Sequence, residues 1–216
     1  VSRGEIKRPS DGGKAKNVVF IQCAGSRDEK HLPYCSTVCC MTSLKQAVYL
    51  REQDKESRAF ILYKDIRTPA QHEFFYKKVQ EDDGIFFSKS EDVSVEENDE
   101  KNIVVSAHKT ILGEDFNIRA DLVVLATGME TANKNGGALK LSYRQGPELP
   151  ELNYGFPDSH FICFPYETRR TGIYAAGTVR HPMNMAQAEQ DAKGAALKAI
   201  QSIELSSRGK SVHPRS

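Results

Sequence analysis

The sequence predicts a mixed α/β fold: a parallel sheet flanked by helices, an antiparallel excursion, and a smaller second region closed by a helix. Three observations predict it. Short apolar runs recur at 17–22 (NVVFIQ), 57–66 (SRAFILYKDI) and 85–90 (IFFSKS), the length of buried strands. Stretches of helical periodicity separate them. Residues 92–128 then alternate apolar and polar side chains between turn signals, as antiparallel strands do.

Residues 1–16 are polar and rich in Gly and Lys, a mobile lead-in. The first strand, 17–22, is continuous in Val, Phe and Ile. From Ser36 to Glu52, Val38, Met41, Leu44 and Val48, with Leu50 beside them, recur at helical spacing. The second strand follows at 57–66. Residues 68–84, TPAQHEFFYKKVQEDDG, predict a helix with Phe74, Phe75 and Val79 inward, stopped by Gly84. IFFSKS is a third strand. DVSVEEND, NIVVSAHKTIL and EDFNIRADLVVLATG form the meander, and the acids of EDD and EEND read as solvated turns. Strand, helix, strand, helix, strand, meander, strand is the order of a Rossmann-like, NAD-type domain with the antiparallel β-meander common in flavoprotein reductases. Residues 129–160 carry Gly, Pro and Asn with little periodicity, so 129–170 is an excursion. TGIYAAGT (171–178) reads as a strand ending in Gly, and 184–204 as an Ala-rich helix. The tail, 206–216, is polar and frayed.

Composition excludes several function classes. The chain has 216 residues, 39% hydrophobic and 27% charged, with formal net charge +1. That balance points away from nucleic acid and from a basic membrane-binding face. No apolar run approaches the roughly 20 residues that cross a bilayer, so no direct membrane insertion is expected. The first residues lack a signal-peptide core and an initiator Met, which suggests a fragment or a processed product. Five cysteines, an odd number with four clustered, argue against a secreted disulfide framework. A reducing, cytoplasmic setting with metal or redox chemistry fits better.

Those four are Cys23, Cys35, Cys39 and Cys40. With a helix from Ser36, Cys35 and Cys39 would stand four apart on one face near its N-terminus. Cys40 is turned about 100° from Cys39, and Cys23 arrives from the end of the first strand. Thiolate-only sites suit iron–sulfur clusters or zinc, and a helix N-terminus favours thiolates. Adjacent cysteines serve one tetrahedral zinc poorly and a four-iron cubane more easily. Buried free thiols or a disulfide are the plainer alternatives. The first strand also lacks G-x-G-x-x-G, needed for backbone approach to a pyrophosphate. It runs into IQCAGSRD, where only Gly25 remains and Cys23 occupies the loop.

FIQCAGSRDE…YCSTVCCM, followed by YKDIRTPAQHEFFYKKVQEDDGIFF, resembles the A subunit of heterodisulfide reductase. Within that family it is similar to the B subunit of the quinone-interacting membrane-bound oxidoreductase of sulfate reducers. The resemblance runs from about residue 17 to 204. It implies a thioredoxin-reductase-like flavoprotein in which Cys23, Cys35, Cys39 and Cys40 hold a [4Fe–4S] cluster near FAD, the flavin relaying or bifurcating electrons. The implied partners are other subunits of a redox complex, with any membrane attachment through them.

A flavin is also suggested by the later sequence. DLVVLATG (121–128) ends in Gly128, which permits backbone approach to a ligand. TGIYAAGT resembles the second flavin motif of these reductases, in which a strand ends in Gly-Asp. Here Gly177 is followed by Thr178, whose hydroxyl bonds a sugar more weakly than a carboxylate. HPMNMAQ opens the last helix, and free amides at Met183, Asn184 and Met185 would face the pyrimidine edge of a flavin. The expected division is therefore 1–16 lead-in, 17–120 degenerate NAD-like domain, 121–205 C-terminal part of an FAD domain, and 206–216 tail. On this reading the N-terminal flavin-binding half, with its glycine fingerprint, is expected to lie outside this sequence.

Other polar residues carry plainer readings. His108, His160 and His181 show no ligand spacing, and Cys163 reads as a small buried apolar residue. Asp65 and Arg67 read as a structural pair at the strand end. Arg169, Arg170 and Arg180 surround the flavin motif, to balance a reduced flavin or to meet a partner. The expected function is that of an electron-transfer component of a redox complex. The alternatives are a zinc-stabilised binding module and an NAD(P)H reductase domain, the latter disfavoured by the missing glycines.

Overall fold

The computed structural model describes residues 4–98, 102–132, 153–160 and 164–212. Cys163 lies outside the described residues. The chain divides into two compact units, Val1–Gly128 and Met129–Ser216.

In the first unit the strands are β1 (Asn17–Ile21), β2 (Arg58–Tyr63), β3 (Ile85–Glu97), β4 (Ile103–Lys109), β5 (Glu114–Ala120) and β6 (Leu122–Leu125). Their order across the sheet is β5-β4-β3-β2-β1-β6. β1 pairs in parallel with β2 on one side and β6 on the other, and β2 with β3. The pairs β3–β4 and β4–β5 are antiparallel. The parallel strands read as unbroken apolar runs because both faces are buried. Val18, Phe20, Ala59 and Ile61 pack toward α1 (Cys39–Gln53) and α2 (His72–Gln80). Val19, Ile21 and Leu62 join Val105, Ala107, Ile118 and Ala120 of the meander on the opposite face.

Several elements differ from the sequence reading. The first helix begins at Cys39 rather than Ser36, because Thr37 has a left-handed φ of 58°. Its inward face is Cys40, Ser43, Leu44, Ala47 and Leu50, while Met41 and Val48 only flank the core. The second helix begins at His72, since Ala70 has φ 56°. Val79 is buried and Phe75 packs on the core, but Phe74 is 77% exposed. The third strand and the first meander strand are one 13-residue strand, β3, with a bulge between Glu91 and Ser94. Its first part pairs with β2 and its second with β4, so the bulge lets one strand serve two partners. Asp82 is not a solvated turn residue. Its carboxylate accepts from Gly84 N at 2.9 Å and pairs with Arg51 at 2.7 Å. Arg51 also donates to Ser57 O at 2.6 Å, tying the end of α1 to the starts of β2 and β3.

The strand read as opening the second region closes the first. Asp121 accepts from Asn17 N at 2.8 Å and Lys16 N at 2.9 Å, which seats β6 against β1. The second unit contains β7 (Ser159–His160), β8 (Phe164–Thr168) and α3 (Met185–Ser207). Residues 171–178 are not a strand. Tyr174 makes a single bridge to Glu167, and Gly177–Val179 is a 3₁₀ turn. Among the described residues no helix is long and apolar enough to cross a membrane.

Candidate functional site

Three chain segments leave the carboxyl ends of adjacent parallel strands and meet. They are the loop after β1, residues 64–67 after β2, and residues 126–128 after β6. β1 is the strand from which the sheet grows in both directions, the position where open α/β sheets place ligands. Cys23, Cys35, Cys39 and Cys40 all line one small cavity there, with Ser26, Arg27, Ser36, Thr37, Asp65 and Arg67.

Each thiol is placed by a local cause. Cys23 follows β1 with φ 55°, and its carbonyl accepts from Ser26 N, so the strand turns sharply at the thiol. Cys35 precedes the helix. The sequence reading set it on a helical face four residues from Cys39, and the left-handed Thr37 between them prevents that. The Thr37 N–H instead points at Cys35 Sγ, 3.3 Å away. Cys39 and Cys40 open α1, whose N-terminus has no side-chain cap and no acidic residue in its first turn, leaving its amides and dipole toward the thiols. Cys40 heads the inward face of α1, one turn before Leu44, which makes it buried while the other three are half-buried. All four are free of disulfide bonds.

The electrostatics oppose bare thiolates and favour compensated ones. Burial pushes the Cys39 thiol up, reinforced by the charges of Cys40, Cys23 and Cys35. Burial also pushes Cys40 up, partly opposed by the Arg67 N–H. Asp65 does not pair with Arg67 as the sequence suggested. Its carboxylate meets Arg27 at 2.8 Å and Lys89 at 4.0 Å, and the Arg27 hydrogen bond holds it below the usual carboxylate range. The same bond raises Arg27, opposed by burial and aided by Cys23. Arg27 was missed in the sequence reading. Its signal was the run CAGSRD, a cation four residues from the first thiol.

The site's fit to a metal group rests on its donor set and on one orphaned atom. Four thiols share the cavity, and Arg27 Nη1 is buried without a hydrogen-bond acceptor, a cost of about 1–3 kcal/mol unless an acceptor meets it. A thiolate or sulfide would. Among the described residues no three His, Cys, Asp or Glu side chains are gathered to hold one ion. A tetrahedral zinc, with Zn–S of about 2.3 Å, requires sulfurs within about 4 Å of one another. The enclosed volume is about 20 Å³, room for roughly one water, so a larger group is seated only if the half-buried thiols rotate.

Gly128 belongs to this site in a way the sequence did not suggest. It has φ 93°, and an added Cβ would collide with Ser26 Oγ and lie 2.7 Å from Ser36 Oγ. The close backbone approach is to the cysteine loop, which Ser26 fastens by donating to Thr127 O at 2.7 Å.

The residues assigned to a flavin are mostly engaged within the second unit. Gly177 N donates to Asp191 at 2.8 Å. Asn184 caps α3, accepting from Gln187 N at 2.8 Å, while its own amide donates to Gln187 Oε1 at 3.0 Å. Met183 is buried, Thr178 is exposed and Met185 is 88% exposed. Arg180 pairs with Asp191 at 2.7 Å, both side chains at or below 10% exposure, and stacks on Tyr166. Arg169 pairs with Asp158 at 2.7 Å. His108 is paired with Asp115, and His181 turns to Pro182 O.

No family model matches the chain. The A subunit of the H(2)/formate:CoB-CoM heterodisulfide,ferredoxin reductase of Methanococcus maripaludis is 40% identical over 200 residues, covering 90% of this chain and 30% of that protein. The iron-sulfur A subunit of the CoB–CoM heterodisulfide reductase of Methanocaldococcus jannaschii is 38% identical, covering 89% and 29%. The chain thus spans about 30% of the length of these relatives. Thioredoxin reductase from Lactococcus lactis superposes with TM-score 0.53 at 18% identity, over 86% of this chain and 52% of that one. The thioredoxin reductase of T. acidophilum gives 0.51 at 18%, over 85% and 51%. At those identities the likeness is one of fold.

Proposed function

Since the chain is homologous over nine-tenths of its length to the A subunit of heterodisulfide reductase, we propose that it is part of an iron–sulfur flavoprotein that passes electrons between subunits of a redox complex. Cys23, Cys35, Cys39 and Cys40 hold one [4Fe–4S] cluster. The observation that carries this is the convergence of four free thiols on one cavity at the carboxyl ends of β1, β2 and β6. A loop with G-x-G-x-x-G would bind a dinucleotide pyrophosphate at that position. Here the loop turns on Cys23 and supplies a thiol instead.

A bound cluster would supply one-electron chemistry. The chain's residues set its conditions. Leu44 and the α1 core fix Cys40, the Thr37 turn aims Cys35, and Ser26 with Gly128 holds the loop from β1 closed. The uncapped start of α1 and the Arg67 N–H offset thiolate charge.

For FAD the second unit offers less. Thr178 and Met185 remain accessible at the start of α3, whereas Gly177 N and Asn184 N are already bonded. FAD binding by this chain alone is expected to be weak, with the ADP half held by a glycine-rich unit that this sequence does not contain.

The test is iron, zinc and acid-labile sulfide analysis after anaerobic purification. Four irons and four sulfides per chain, lost in Cys39→Ala, support the proposal. Stoichiometric zinc without labile sulfide overturns it.

A further inference from the structure

We propose that Arg27 and Asp65 act together to set the reduction potential of the four-thiol site, Arg27 raising it and Asp65 holding it down. This rests on the cluster reading above. Arg27 lines the thiol cavity and is held in a left-handed turn, φ 55°, four residues after Cys23. Its Nη2 meets Asp65 Oδ2 at 2.8 Å, while Nη1 is buried without a partner. The pair is asymmetric toward solvent: the Arg27 side chain is 24% exposed and that of Asp65 51%. Water therefore screens the carboxylate more than the guanidinium, and the pair's influence on the thiols is weighted toward the cation. Asp65 is also tied to the site from behind, since Cys40 Sγ stands 3.8 Å from its backbone carbonyl.

One-electron reduction adds one negative charge to the cluster, with no bond made or broken. A cation beside the thiols stabilises that charge, and a carboxylate beside the cation reduces the benefit. Removing each partner should move the potential in opposite directions. A residue that merely folded the loop would not give that pattern.

The experiment uses the anaerobically reconstituted chain, with dithionite as one-electron reductant and EPR-monitored potentiometric titration, after iron and sulfide content has been measured. At the wild-type midpoint, Arg27→Gln should lower the reduced-to-oxidised ratio about tenfold, a shift of roughly 59 mV for one electron. Asp65→Asn should raise the ratio several-fold, and the double variant should return close to wild type. Arg27→Lys, which keeps the charge, should lie nearer wild type than Arg27→Gln. If Arg27→Gln fails to load, Asp65→Asn decides, because its side chain is half exposed and the amide oxygen can still accept from Arg27. Loaded variants with unchanged potentials, or Asp65→Asn shifted downward, overturn the tuning proposal alone. Wild-type protein that takes up no iron and sulfide overturns the cluster reading and this inference together.

Discussion

Replacing Gly128 by alanine should weaken the cysteine loop in a chain that carries no flavin. Gly128 has φ 93°, where an L side chain costs about 1–3 kcal/mol. Its new methyl group would press on Ser26 Oγ and Ser36 Oγ. Both serines are buried, at 2% and 1% exposure, and neither can retreat into solvent. Overpacking of that kind costs about 1–3 kcal/mol. Displacing Ser26 from Thr127 O forfeits about 1 kcal/mol more. The expected loss is about 3–7 kcal/mol, a large share of the 5–15 kcal/mol typical of a domain. Gly25→Ala is the control, because Gly25 has φ 77° and nothing within 4 Å of an added Cβ. It should carry the backbone cost without the crowding. The assays are urea unfolding and the rate of iron loss to a chelator. Gly128→Ala should unfold at lower urea than Gly25→Ala and release iron faster. Equal midpoints and equal release would refute the packing argument and return Gly128 to the ligand role that the sequence suggested.

Leu44 is fully buried between α1 and the sheet, so Leu44→Ala should cost about 2–5 kcal/mol by urea unfolding and loosen Cys40, one turn away. Arg51→Ala should cost about 2–3 kcal/mol, because it strands Asp82 and the Ser57 carbonyl. At Asp82 burial pushes the carboxyl up, but the Gly84 N–H and Arg51 outweigh it, and the folded pKa lies below the ordinary 3.8. The unfolded state therefore binds the proton more readily. The stabilisation is complete above 3.8 and is lost as pH falls through the folded value. An acid titration of the urea midpoint should be shallower in Arg51→Ala than in wild type. NADH should not bind the isolated chain tightly, and a micromolar affinity by titration would refute the view that Cys23 has displaced the phosphate-binding loop.

Much of the first unit was legible because its signals are local and redundant. β1 and β2 are buried on both faces, so their sequences are continuous runs, and α1 and α2 lie between strands that bound them. The errors came where a single backbone dihedral outvotes periodicity. Thr37 and Ala70 adopt left-handed conformations that neither residue type announces, and each shortens the helix after it. β3 was split because its composition turns polar past the bulge, although the hydrogen-bonded strand continues. β6 was read both as the last strand of the Rossmann-like order and as the start of the 121–205 region, because a four-residue strand cannot say which sheet it joins. That is decided by long-range bonds from Asp121 to the chain before β1.

The site was legible as a list of thiols and illegible as an environment. Cysteine spacing identified Cys23, Cys35, Cys39 and Cys40 because thiols are scarce and their clustering is conspicuous. Arg27, Ser26 and Ser36 are common residue types whose roles exist only after β1 and β6 are side by side. The flavin-facing residues were legible only as a motif. A motif such as GT before a capped helix describes which groups could face a ligand, not whether the chain has already used them. Asp191 has taken the amide of Gly177, and Gln187 that of Asn184. The buried Arg180–Asp191 pair shows why. Each charge would cost several kcal/mol if left alone in that setting, so the helix start is locked by its own ion pair, and Asp191 can give up the Gly177 amide only if another donor satisfies it. A ligand arriving there must therefore leave that pair intact and bind through the groups still open, Thr178 and Met185. Asp191→Asn should accordingly destabilise the second unit by about 3–5 kcal/mol, because it removes the charge that the buried Arg180 guanidinium faces. In urea unfolding the first unit's transition should stay unchanged, and a cluster content that fell with it would show that the two units depend on each other.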